Sequence, residues 1–118
     1  MSTKEINNKV TIIINGNGMG SGPSELTNTL VKNYIALLND EKRVPVYLCL
    51  YADGVYLACE GSHIIEEMKA LEKAGTKIVI CKTCLTFNGL LDKVAVGSIG
   101  TMVDIMDIQH NSTKVITL

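Results

Sequence analysis

The chain has 118 residues, 47% of them apolar and 19% charged, so it can build one compact core and does not have the composition of a disordered segment. Eleven basic residues face twelve acidic ones, the net charge is -1, and Arg43 is the sole arginine, which argues against a nucleic-acid partner. No apolar run approaches the ~20 residues that cross a bilayer, and the opening MSTKEINNKV lacks the apolar centre of a secretion signal. The expectation is a cytoplasmic protein with reduced thiols and no membrane partner, a single domain over 1–118 with a polar tail at 1–8.

Lys9 to Asn15, KVTIIIN, is a β-branched run that stops at glycine and reads as a buried strand. GNGMGSG, Gly16 to Gly22, is a loop. Pro23 suits the first turn of a helix, where a missing N–H costs nothing, and Glu25 suits its positive end. Leu26, Leu30, Val31, Tyr34, Leu37 and Leu38 recur at helical spacing and predict the buried stripe. Val44 to Tyr51, VPVYLCLY, is a second strand with its proline near the start. Ala52 to Gly54 is a turn, followed by a short apolar piece, VYLAC. Ser62 can cap the next helix, whose inner face is Ile64, Ile65, Met68 and Leu71 and whose stop is Gly75. Thr76 to Cys81 is a third strand. Cys84 to Leu91 reads as a short helix, Lys93 to Val96 as a brief strand, Thr101 to Ile108 as a helix, and Lys114 to Leu118 as a last strand.

Strands that are apolar throughout, alternating with amphipathic helices, predict an α/β three-layer sandwich with a mainly parallel sheet of about five strands. Right-handed crossovers place every strand-to-helix loop at the carboxyl edge of that sheet, where open α/β sheets bind ligands. Three loops meet there in this reading: Gly16–Gly22, Ala52–Gly54 and Cys81–Cys84.

Each loop carries a candidate chemistry. The residues Gly16, Asn17, Gly18, Met19, Gly20 and Ser21 can present backbone N–H groups to an anion. They match neither the dinucleotide pattern, whose third glycine falls on Ser21, nor a Walker loop, which needs Gly-Lys-Ser/Thr. A plain turn is the alternative. Asp53 and Gly54 follow the second strand, either as pocket lining or as ordinary turn residues. Cys81 and Cys84 form a Cys-x-x-Cys, and four chemistries are open to it. A structural zinc site needs four ligands; no second pair exists, and His63 and His110 stand alone, so no metal is expected. A redox couple of the thioredoxin kind places its first cysteine at a helix start. A sulfur-handling nucleophile needs a thiolate; with the strand running into Cys81, Cys84 falls nearest the helix start, and Lys77 and Lys82 add positive charge. This predicts a lowered pKa for Cys84. Burial of both thiols as small apolar residues is the fourth reading. Cys49, inside a strand, is core, and Cys59 can be either.

The succession of GMGSG, DGVYLACEGS, CKTCLTFNGL and VGSIGTMVDIMD resembles the DsrE/DsrF-like sulfur-relay family, over residues 9 to 118. It is most similar to the C-terminal domain of the YedF-type sulfurtransferase-like proteins of selenium metabolism. That resemblance implies a DsrE-like sheet, a homo-oligomer (dimer or trimer), and a cysteine that carries sulfur as a persulfide. Cys84 with Gly89 matches the position of the working cysteine, and Cys81 matches the second cysteine of the YedF-like subset. YedF-type proteins carry a TusA-like domain, so a TusA-like sulfur carrier is the implied partner, with a small sulfur or anionic ligand and no cofactor. The expected function is a sulfur, or selenium, carrier or transferase. The competing readings are a non-catalytic oligomeric module that binds a small anion, and a Cys-x-x-Cys thiol redox sensor.

Overall fold

The computed structural model describes residues 6–118. Five strands form one sheet in the order β4-β3-β2-β1-β5, and every pair of neighbours is parallel. The strands are β1 (Ile6–Ile14), β2 (Val44–Leu50), β3 (Lys77–Cys81), β4 (Ser98–Gly100) and β5 (Lys114–Thr117). The helices are α1 (Ser24–Asp40), α2 (Ile65–Ala74), α3 (Lys82–Phe87) and α4 (Met102–Asn111), with a 3₁₀ helix at Ala52–Ala58.

Register explains the core. Ile12, Leu48 and Ile78 stand in one row across three strands, and Ile14, Leu50 and Ile80 in the next. All six are sealed from solvent, and α1 and α2 pack side by side over one face of the sheet. Burying each such side chain contributes about 1.5–3 kcal/mol. Thr11 alternates with Ile12 and so points to the other face. There its hydroxyl bonds that of Ser112, the C-cap of α4, at 2.6 Å, so α4 covers the opposite side and the molecule has three layers.

The last crossover sets that arrangement. β4 and β5 lie at opposite edges, so the chain must cross four inter-strand gaps, roughly 19 Å. The 10 residues of α4 supply about 15 Å of this. Thr101 starts α4 with a capping box: its hydroxyl accepts the Asp104 N–H, while the Asp104 carboxylate accepts the Thr101 N–H.

Several expectations change. β1 begins at Ile6, not at Lys9, because Ile6 and Asn7 pair with Val44 and Pro45 whatever the polarity of their side chains. The proposed polar tail therefore ends within a strand, and its first five residues lie outside the described ones. On α1 the buried positions are Thr27, Val31, Ile35 and Leu38, with Tyr34 half-buried. Leu26, Leu30 and Leu37 are exposed, because the face that packs on the sheet is turned by one residue from the leucine stripe. Ser62 does not cap α2 from the N-cap position, which Ile64 holds; its hydroxyl accepts the Ile64 N–H two residues on. Lys93–Val96 is not a strand. Val94 makes only an isolated antiparallel bridge with Cys59, and the fourth strand forms at Ser98–Gly100. Gly75 does end α2, at φ 122.

Cys49 and Cys59 both lie in the core. Burial pushes the Cys49 thiol up to about 12. A thiol whose pKa is higher folded than unfolded favours the fold while it stays protonated. That contribution is complete below pH ~8.5, the unfolded thiol value, and is lost as pH rises toward 12. Denaturant melts at pH 8 and pH 11 should therefore show a fall in stability that is smaller in Cys49→Val; an identical fall in both would refute the assignment.

Candidate functional site

The shared row Ile14, Leu50 and Ile80 brings the carboxyl ends of β1, β2 and β3 to one edge, and the chain leaves each within a residue or two. The segment after β2 turns across the end of β1. Tyr51 N–H donates to Ile14 O at 3.2 Å, and Gly54 packs so closely that a Cβ there would lie 2.2 Å from the same oxygen. Glycine is the residue that fits. Between them Ala52 has φ 51, a left-handed conformation that costs a non-glycine residue roughly 1–2 kcal/mol.

The segment after β3 carries the cysteines. Cys81 is the N-cap of α3, and its sulfur accepts the backbone N–H of Cys84 at 3.4 Å. Cys81 is buried, whereas Cys84 is partly exposed. The Cys84 thiol donates to the Cys81 sulfur, with Sγ to Sγ at 3.0 Å, about 1 Å beyond a disulfide bond. On its other side the Cys84 sulfur accepts the Ala52 N–H at 3.1 Å. A second tie joins the same two segments. The Tyr56 hydroxyl donates to Asn88 Oδ1 at 3.1 Å, and Asn88 Nδ2 donates to the Cys84 carbonyl at 2.8 Å.

Two expectations about the cysteines are corrected. The helix starts immediately after Cys81, so Cys81 and not Cys84 sits at its cap. The Cys84 thiol is raised above the ordinary cysteine range instead of lowered. Burial is the largest cause and the bond to Cys81 the next; the Ala52 amide opposes both and does not prevail. The sign has a chemical consequence. Each unit of increase removes about nine-tenths of the thiolate at neutral pH, but the remaining thiolate is about threefold more nucleophilic. Removing Cys81 removes a raising contribution. Cys81→Ala should therefore move the alkylation profile of Cys84 to lower pH and speed its reaction at pH 7 severalfold, read by peptide mass after iodoacetamide pulses. A shift to higher pH would contradict the geometry.

The glycine loop leaves the same edge after β1. Gly18 is pressed on α1, where a Cβ would meet Thr27 Oγ1 at 2.8 Å, and the Met19 amide donates to Thr27 O. That amide is thus taken up within the fold and is not offered to an anion. Gly20 and Gly22 adopt left-handed conformations, and Asn17, Gly20 and Ser21 are exposed, with Gly16 half-buried. No hydrogen bond joins this loop to Cys84 among the described residues. Asp53 is an exposed residue in the first turn of the 3₁₀ helix. Hydrogen bonds therefore tie Cys81, Cys84 and the 52–54 turn together, and among the described residues none of them extends to the glycine loop. The Ala52–Gly54 turn was legible in the sequence, but the Ala52 amide as a partner of Cys84 and the tie between Tyr56 and Asn88 were not. Tyr56 and Asn88 are far apart in the chain, and alanine signals no left-handed turn.

A family model for the DsrE/DsrF-like family matches residues 8–118. The chain belongs to the DsrE/DsrF-like family. Among solved structures it is similar to the ychN protein from E. coli, at 26% identity and a TM-score of 0.69, covering 95% of this chain and 100% of that one. It also shares its fold with MTH1491 from Methanobacterium thermoautotrophicum, a protein of unknown function, at 17% identity and a TM-score of 0.70 over 95% of this chain and 100% of that one. BT1422 from Bacteroides thetaiotaomicron, likewise of unknown function, matches at 12% identity and a TM-score of 0.68, covering 93% and 95% of the two chains. No curated protein matches the sequence significantly. Among the described residues of this DsrE/DsrF-like chain, no helix is long and apolar enough to cross a membrane.

Proposed function

We propose that this protein is a sulfur carrier of the transferase type, holding sulfane sulfur on Cys84 as a persulfide. The observation that carries the reading is the unequal cysteine pair: a partly exposed Cys84 touching both a buried Cys81 sulfur and a main-chain amide. Membership of a family associated with sulfur relay supports it.

Loading begins when the Cys84 thiolate attacks the outer sulfur of a donor persulfide. A bond forms from Cys84 Sγ to that sulfur, the donor's S–S bond breaks, and the donor leaves as a thiolate that takes up a proton. Two routes unload it. An acceptor thiolate can take the outer sulfur, returning the electron pair of the broken bond to Cys84. Alternatively, the Cys81 thiolate attacks Cys84 Sγ, a disulfide forms between them, and the outer sulfur departs as hydrosulfide. The second route oxidises the pair and reduces the sulfane sulfur, so an external thiol must then reduce the disulfide. Burial of Cys81 keeps it from competing with Cys84 for bulky donors.

Mass spectrometry after incubation with a persulfide donor tests the reading. A one-sulfur increment on the peptide containing Cys84 is expected, and an unmodified pair sinks it. A second reading rests on the same 3.0 Å approach of the two sulfurs: a thiol redox sensor, which predicts a reversible Cys81–Cys84 disulfide and no sulfur increment. Selenium in place of sulfur is a matter of donor, and a selenide-derived donor compared in the same assay decides it.

A further inference from the structure

Glycine, asparagine and aspartate are the residues that visit the left-handed region at little cost, and Asp53 and Gly54 come directly after Ala52. Yet Ala52 is the one placed there, at φ 51. Its neighbours hold it. Tyr51 N–H is bonded to Ile14 O, Gly54 N–H returns to Tyr51 O at 2.9 Å, and Gly54 is wedged against Ile14 with no room for a side chain. Both ends of the turn are thus tied down, and the amide between them points out of it at the Cys84 sulfur. Tyr56, in the same segment, donates to Asn88 at the end of α3, and Asn88 in turn donates to the Cys84 carbonyl, so the sulfur directly and the main chain through Asn88 are both tied to residues 52–56.

We propose that Ala52 is a positioning residue for Cys84: its main-chain amide, fixed by Tyr51 and Gly54, is a preorganised donor to the charge on the Cys84 sulfur. This rests on Cys84 being the sulfur-bearing nucleophile. The amide serves the two moments at which Sγ carries a negative charge. The first is loss of the thiol proton before attack on the donor. The second is unloading, when an acceptor thiolate takes the outer sulfur, the Sγ–S bond breaks and its electron pair stays on Cys84. A donor already in place needs no reorganisation at either moment. The direction agrees with the amide's lowering effect on Cys84, set against burial and Cys81. Among side chains, Cys81 is the group that acts on this thiol. Asp53 from the 3₁₀ helix and Lys82 from α3 are exposed and do not shift it.

The direct test replaces Ala52 by lactic acid, introduced as an α-hydroxy acid, which exchanges the N–H for an ester oxygen and keeps the methyl group. Iodoacetamide alkylation of Cys84 should then slow on the order of tenfold at pH 7, with the midpoint of its pH profile displaced upward. Ala52→Gly keeps the donor and accepts the conformation, and should stay within about twofold of the unchanged protein. An ester variant with the original profile overturns the proposal. So does a glycine variant as impaired as the ester, because local packing would then be responsible. Should the ester variant not fold, the unmodified protein answers: the Ala52 amide resonances should follow the ionisation of Cys84 and cease to do so in Cys84→Ser. Resonances that ignore that transition overturn the proposal as well. None of these readouts involves a persulfide, so a protein that shows them and takes up no sulfur refutes the carrier reading alone.

Discussion

Cys84→Ser is expected to abolish sulfur uptake from a persulfide donor, by about a thousandfold or more in rate, while the thermal midpoint changes little. The hydroxyl stays protonated at neutral pH and does not attack a sulfane sulfur. The stability expectation follows from position: Cys84 lies at the surface of α3, and the core beside it is carried by Leu85 and Cys81. Cys81→Ser should behave differently, still gaining the sulfur increment but releasing hydrosulfide from loaded Cys84 at least tenfold more slowly, because the internal attack is gone. Donor incubation followed by intact mass and sulfide assay separates the two variants. Equal uptake by Cys84→Ser and the unchanged protein would move the site elsewhere.

Gly54→Ala should carry the largest stability penalty of any single methyl group added at this edge. Its Cβ would fall 2.2 Å from the Ile14 oxygen and 2.9 Å from the Ile14 carbonyl carbon, both backbone atoms of β1 that cannot rotate away. The main chain must shift, at a cost of about 3 kcal/mol, or roughly 10 °C in thermal midpoint. Gly20→Ala is the matched control. Nothing lies within 4 Å of its added Cβ, and only its φ of 79 opposes the change, so about 1 kcal/mol is expected. The same displacement moves Ala52 off the Cys84 sulfur, so Gly54→Ala should also slow alkylation of Cys84 at pH 7. Calorimetry and the alkylation rate together check this; a midpoint no lower than that of Gly20→Ala would contradict the close packing.

Much of the frame was legible before the fold. KVTIIIN, VPVYLCLY and TKIVIC are apolar on both faces, and only a sheet covered on both sides buries such runs, which is what β1, β2 and β3 do. Glycine endings and crossover handedness were enough to gather the three loops at one edge. The two ends of the chain of inference about α1 diverged because its apolar residues span two adjacent stripes. Helical periodicity alone does not say which of Leu26/Leu30/Leu37 or Thr27/Val31/Ile35/Leu38 meets the sheet.

The site divides in the same way. Cys81 and Cys84, three residues apart at a strand end, are a local feature, and spacing alone identifies them as a pair. Which of them caps the helix depends on the residue at which β3 yields to α3, and that is set by the pairing of Cys81 with Gly100 on β4. The raised pKa of Cys84 depends on burial and on a sulfur contact, neither of which is written in sequence. The partner amide comes from Ala52, thirty-two residues earlier. Local propensity determined the elements and the cysteine pair. Only the packing of the 52–58 segment against β1 decided what the cysteine touches, because a left-handed alanine is held by its neighbours and not by its own preference.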